Sequence, residues 1–79
     1  MTEYRIKSND LVHAPGVLRA AIHSYKVGDL KNAFNLASGL GFDGFPKKFV
    51  EEFLSGKVEW QEIDGDVVFK SEAVRTPVI

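Results

Sequence analysis

The chain has 79 residues, of which 44 % are hydrophobic and 27 % charged, and its formal net charge is −1 at pH 7. This length predicts a single domain over 1–79, and the composition is typical of a folded chain rather than a disordered one. The absence of cysteine excludes disulfides and cysteine-based zinc sites. No apolar run reaches the ~18 residues of a membrane helix, and MTEYRIKSND lacks the apolar core of a signal peptide. We therefore expect a cytoplasmic protein with no membrane partner.

The first predicted element is a short strand. Residues Thr2 to Ser8 alternate, with Tyr4 and Ile6 on one side, which is the period of a half-buried strand. After the turn that follows, Leu11 and Val12 are apolar, and we expect both to pack under the core.

Two helices follow. Pro15 favours a helix start, and apolar residues at helical spacing predict a first helix over about 15–26. Asp29 is a good N-cap because its carboxylate accepts from the unpaired N–H groups of a first turn. This cap and the apolar residues at helical spacing after it predict a second helix over about 30–38.

A glycine-rich connection comes next, and its apolar residues have two interpretations. Leu40 and Phe42 are expected to pack inward. Exposure of Phe42 or Phe45 in the turn is the alternative, and either ring would then anchor a protein partner.

The third helix is predicted over about 46–55. Pro46 suits a first helical position, and Gly56 suits a left-handed helix end. Its apolar stripe consists of Phe49, Val50, Phe53 and Leu54. Its outer face carries Lys47, Lys48, Glu51, Glu52 and Ser55.

A β-hairpin follows this helix. The Asp64-Gly65 pair is a strong signal for a two-residue hairpin turn, and it pairs Ile63 with Asp66 and Trp60 with Phe69. A one-residue slip would move every side chain to the other face. The core-facing residues are then Trp60, Val67 and Phe69.

The elements together predict an α+β fold. Three helices lie beside a C-terminal hairpin, and the short N-terminal strand pairs with an edge of that hairpin. Residues 71–79 form a tail whose apolar members, Val74, Val78 and Ile79, either fray or contact a partner.

From about Pro15 to Lys70, roughly two thirds of the chain, the sequence resembles winged helix-turn-helix domains. The segment FVEEFLSGKVEWQEIDGDVVF carries the resemblance, with a third helix that ends in glycine, a valine-containing strand and a glycine-bearing wing turn. The resemblance implies a three-helix winged-helix-like domain whose third helix enters a DNA major groove. It further implies that Lys47, Lys48 and Ser55 contact phosphate or base edges. The wing tip would be Asp64, Gly65 and Asp66.

Two functional hypotheses follow. The first is a small DNA-binding transcriptional regulator, acting alone or as a homodimer. The second is a protein-binding inhibitor or adaptor, as in a bacterial or phage regulator, that uses the third helix, the wing or the tail. Charge favours the second, because residues 49–79 carry seven acidic and three basic residues, and the wing tip offers carboxylates where DNA-contacting wings offer Arg or Lys. Residues 1–48 carry seven basic and four acidic residues, so a basic face opposite an acidic face is also an expectation.

Catalysis is not expected. The only histidines, His13 and His23, have no metal-ligand spacing with a second ligand, and the glycines match no phosphate-binding or dinucleotide-binding loop. We therefore predict a non-enzymatic domain without a catalytic site, cofactor or metal.

Overall fold

The computed structural model describes residues 2–72, so the predicted tail lies almost wholly outside the described residues. The chain forms an α+β domain of three helices and one three-stranded sheet, which confirms the predicted fold class. The elements are β1 (Thr2–Ile6), α1 (Ala14–Lys26), α2 (Leu30–Gly39), a 3₁₀ helix (Phe42–Gly44), α3 (Lys47–Leu54), β2 (Trp60–Ile63) and β3 (Asp66–Ser71). In the described part of the chain, none of the helices has the length and hydropathy of a membrane span.

The sheet is antiparallel, with strand order β1-β3-β2. The hairpin register is the predicted one, with Trp60 opposite Phe69 and Ile63 opposite Asp66. Asp64 and Gly65 have φ angles of 53° and 78°, as a two-residue turn of this kind requires. β1 pairs with β3, so the N-terminal strand forms one edge of the sheet and β2 the other.

The core is built around Phe69 at the centre of the sheet. Its ring centroid lies 4.9 Å from that of Phe53 and 5.5 Å from that of Tyr4. Phe42 and Phe45 lie 5.9 Å away on the helical side. These separations are typical of favourable aromatic contacts, so the helices and the sheet share one aromatic core.

The expected packing of Leu11 under the core is wrong. Leu11 is 95 % exposed, because the Asn9 carboxamide oxygen accepts from the backbone N–H groups of Leu11 and Val12 at 2.8 and 2.9 Å. The resulting turn directs Leu11 outward and lets only Val12 pack against the core.

The alternative in which Phe42 or Phe45 is exposed in the turn is excluded. The two rings are 1 % and 7 % exposed, since the 3₁₀ helix folds the connection back over Phe69. The inward packing predicted for Leu40 and Phe42 is confirmed.

Candidate functional site

The outer face of α3 brings five predicted site residues together. Successive residues of an α-helix turn by about 100°, so positions 47, 48, 51, 52 and 55 share one arc while the apolar positions share the opposite one. Three of the five side chains are exposed and two are half-buried. We call this face the α3 ridge: Lys47, Lys48, Glu51, Glu52 and Ser55.

The charges of the α3 ridge oppose the helix dipole. Lys47 and Lys48 lie in the first turn, where negative charge is favourable, and Glu51 and Glu52 lie toward the C-terminus, where positive charge is favourable. The N-cap, Pro46, supplies no side-chain hydrogen bond. Within residues 2–72, no ion pair shorter than 4.0 Å involves these four side chains. Among the described residues the ridge charges are therefore not engaged in ion pairs, so they remain accessible to a binding partner.

Two depressions flank the α3 ridge. The first, the α2–α3 cleft, has a volume of about 360 Å³ and includes Lys47 in its lining. The second, the α3–sheet groove, is open, has about 1400 Å³ and includes Lys48 and Glu52. Glu51 and Ser55 line neither, so they form the crest between the two.

The floors of both depressions are apolar. In the α2–α3 cleft the floor comes from Phe34, Phe42, Phe45 and Val50. In the α3–sheet groove it comes from Phe49, Val58, Trp60 and Phe69. The sequence pattern identified most of these residues as core but gave no sign that they would line surface depressions.

The rims are close to electroneutral. Lys47 and Asp43 line the α2–α3 cleft, and their charges cancel. The α3–sheet groove has three lysines, Lys48, Lys57 and Lys70, and four glutamates, Glu3, Glu52, Glu59 and Glu72. Its lining therefore has a net charge of −1, which is unfavourable for phosphate groups.

Hydrogen bonds through Ser8 connect the predicted wing tip to the start of α1. Asp66 accepts hydrogen bonds from the backbone N–H of Ser8 at 2.8 Å and from Nε of Arg5 at 2.9 Å. Ser8 Oγ donates to the carbonyl of Gly65 at 2.5 Å and accepts from the N–H of Ala14 at 2.7 Å. The Ser8 hydrogen bond, followed by that from Arg5, holds the pKa of Asp66 below its usual value of 3.8.

The three predicted tip residues therefore differ in accessibility. Asp66 and Gly65 have intramolecular partners, whereas the side chain of Asp64 is 90 % exposed and lies 3.8 Å from Arg5. A binding role for the tip stays a prediction.

Long-range ion pairs connect the basic N-terminal half with the acidic hairpin. Arg5 pairs with Asp66, and Arg19 Nη2 lies 2.8 Å from Glu62 Oε1. His13 Nε2 lies 3.9 Å from the other oxygen of Glu62. Where the two halves meet, their opposite charges are interleaved rather than separated into two faces.

Sequence reasoning missed the structural roles of Ser8 and His13. His13 Nδ1 accepts from the N–H of Gly16 at 3.2 Å and so caps α1. A Ser, Thr, Asp or Asn at that position would have signalled a cap, whereas histidine does not.

Within residues 2–72, no group of three or more His, Asp or Glu side chains is placed to hold a metal ion.

No family model, curated protein or solved structure matches this chain, so the relation to winged-helix domains stays a prediction.

Proposed function

We propose that this chain is a non-catalytic protein-binding module that docks through the α3 ridge. One observation carries the proposal: a ridge of accessible charges that sum to zero lies between two depressions with apolar floors. Each depression has apolar lining residues beside charged ones, and apolar patches bordered by polar side chains are usual in protein–protein interfaces. Because α3 projects between two depressions, side chains of a partner can pack into the depressions on either side of the helix.

Charge argues against nucleic acid as the main partner of this surface. The α3 ridge and the wing tip together contain two Lys, two Glu and two Asp, which gives a net charge of −2. Binding to DNA depends on cations that displace counterions from phosphate. A neutral or acidic surface provides little of this free energy, whereas it suits a partner protein of mixed charge.

DNA binding as a transcriptional regulator is the second candidate. It is supported by the exposed side chains of Lys47 and Lys48 in the first turn of α3. If α3 entered a major groove, these two lysines would be its main phosphate contacts.

Affinity capture with matched variants tests the first candidate. Tagged wild-type protein serves as bait in a lysate of the source organism, beside the charge reversal Glu51→Lys on the ridge crest. Lys31→Glu, an exposed position of α2 that lines neither depression, is the control. We expect one stoichiometric protein that is retained by the wild type and the control and reduced about tenfold or more by Glu51→Lys. A partner captured equally by all three baits would contradict docking through the ridge.

A titration of duplex DNA by fluorescence anisotropy at ~50 mM salt, where phosphate contacts are strongest, tests the second candidate on the same samples. We expect no saturable binding. Binding that weakens with salt and with the double change Lys47→Ala and Lys48→Ala would instead establish DNA as the partner.

A further inference from the structure

We infer that the α2–α3 cleft receives an aromatic side chain of the partner protein, with a neighbouring carboxylate of that partner paired to Lys47. This inference rests on the proposed protein-binding function and names the chemistry that one part of the surface recognises.

The cleft has the size and lining for one aromatic ring. Phe42, Phe45 and Val50 are buried members of the core, and the half-buried Phe34 packs against them. Close packing of these residues keeps the cleft in shape without a ligand. Its volume is about 360 Å³ and it is open to solvent, so a ring can rest on the apolar residues without any opening of the fold.

Lys47 specifies the charge of the neighbouring group. Its Nζ lies 5.7 Å from the ring centroid of Phe34, within the range of a cation–π contact, so the ammonium stands at the wall of the cleft. No carboxylate of residues 2–72 lies within 4.0 Å of it. A ligand whose ring rests on the cleft floor can therefore place a carboxylate against this ammonium group.

Asp43 limits the negative charge that the cleft accepts. It also lines the cleft and is exposed, so it repels further anionic groups and disfavours a polyanion such as a nucleic acid backbone. One ring with a single carboxylate suits Lys47, while Asp43 disfavours any further negative charge. A phenylalanine next to an aspartate in the partner would supply it.

A pair of nearly isosteric probes separates the ring from the charge. Phenylacetate and the neutral phenylacetamide are titrated into ¹⁵N-labelled protein, and amide shifts are followed by NMR. Both should shift the cleft residues Asn35, Ser38 and Val50, and phenylacetate should bind up to about fivefold more tightly, the range of an exposed ion pair. Shifts scattered over the surface, or equal affinities, would overturn the inference.

Isosteric variants of the two charged groups should change the preference for phenylacetate in opposite directions. Lys47→Gln should abolish the preference for phenylacetate, and Asp43→Asn should increase it. Lys31→Gln removes the same charge from a position outside the cleft and should leave the preference unchanged. A preference that survives Lys47→Gln would overturn the assigned role of Lys47.

A peptide distinguishes a partner side chain from a small aromatic acid. Acetyl-Gly-Phe-Asp-Gly-amide should shift the same amides as phenylacetate, and the Asn analogue should bind more weakly. Binding of phenylacetate without binding of the peptide would overturn the partner assignment. These titrations need no partner, so they decide the cleft chemistry even if affinity capture rejects docking through the ridge.

Discussion

The two ends of the β-hairpin are held in different ways. At the open end, Phe69 is packed among aromatic rings, and Phe53 is the nearest of those on α3. At the turn, Asp66 and Gly65 are held by hydrogen bonds from Arg5 and Ser8. The first end depends on apolar burial and the second on a few directed polar contacts between residues far apart in sequence.

The difference predicts which changes should destabilise each end of the hairpin. Burial is lost in proportion to the volume removed, and it responds little to pH. A polar contact is lost when one partner is removed or titrated, and the remaining group is left without a hydrogen bond. The α3 ridge is on the helix that packs against the aromatic end, since Phe53 of α3 contacts Phe69.

The largest effect is expected at the aromatic end. Phe53→Ala should lower the free energy of unfolding by about 3–5 kcal/mol, because it leaves a cavity beside Phe42 and Phe69. Phe53→Leu retains most of the volume and should cost less than about 1.5 kcal/mol. Urea denaturation measures both, and similar losses from the two variants would show that packing at this end is loose.

A smaller loss is expected at the turn. Ser8→Ala removes the acceptor of the Ala14 N–H and the donor to Gly65, so it should cost roughly 1–3 kcal/mol. Ser55→Ala is the control, since Ser55 Oγ donates only within its own helix, to the carbonyl of Glu52, and the residue is exposed. Equal costs would indicate that the turn is not held through Ser8.

The pH dependence of stability separates the two ends further. The pKa of Asp66 is lowered in the folded state by the Ser8 N–H and Arg5. Its contribution is therefore complete above the unfolded pKa of about 4 and is lost as the pH falls through the folded value. The stability advantage of the wild type over Asp66→Asn should therefore be constant near neutral pH and should shrink as the pH falls below about 4, as measured by urea denaturation. A constant difference would contradict the role of the Asp66 charge.

The smallest effect is expected for the exposed pair between Arg19 and Glu62. Arg19 also lies over Trp60, with Cζ 5.5 Å from the ring centroid. Arg19→Gln should cost about 0.2–1 kcal/mol, and the cost should decrease at high salt. A loss that is larger and independent of salt would mean that packing on Trp60 dominates.

The aromatic end could be predicted from the sequence because its signals are local. The apolar stripe of α3 and the Asp64-Gly65 turn locate the core-facing side chains, and the predicted pairing of Trp60 with Phe69 is confirmed. Each signal follows from the helical or strand period over a few residues.

The polar contacts that hold the turn and the presence of the depressions could not be predicted in the same way. The contacts of Ser8 with Gly65 and Asp66 span 57 and 58 residues, and no local period specifies such a pair. The α2–α3 cleft depends on how closely two helices approach, which their patterns alone do not determine. The outer residues of α3 were identified from the sequence, but their position between two depressions required the fold.

Site-specific photo-cross-linking tests docking through the α3 ridge most directly. A benzophenone amino acid replaces Ser55 on the ridge in one sample and Lys31, away from both depressions, in the other. After irradiation in lysate of the source organism, the account predicts a protein adduct at position 55 that resists nuclease and is absent at position 31. A nuclease-sensitive adduct at position 55, or a protein adduct formed only from position 31, would contradict it.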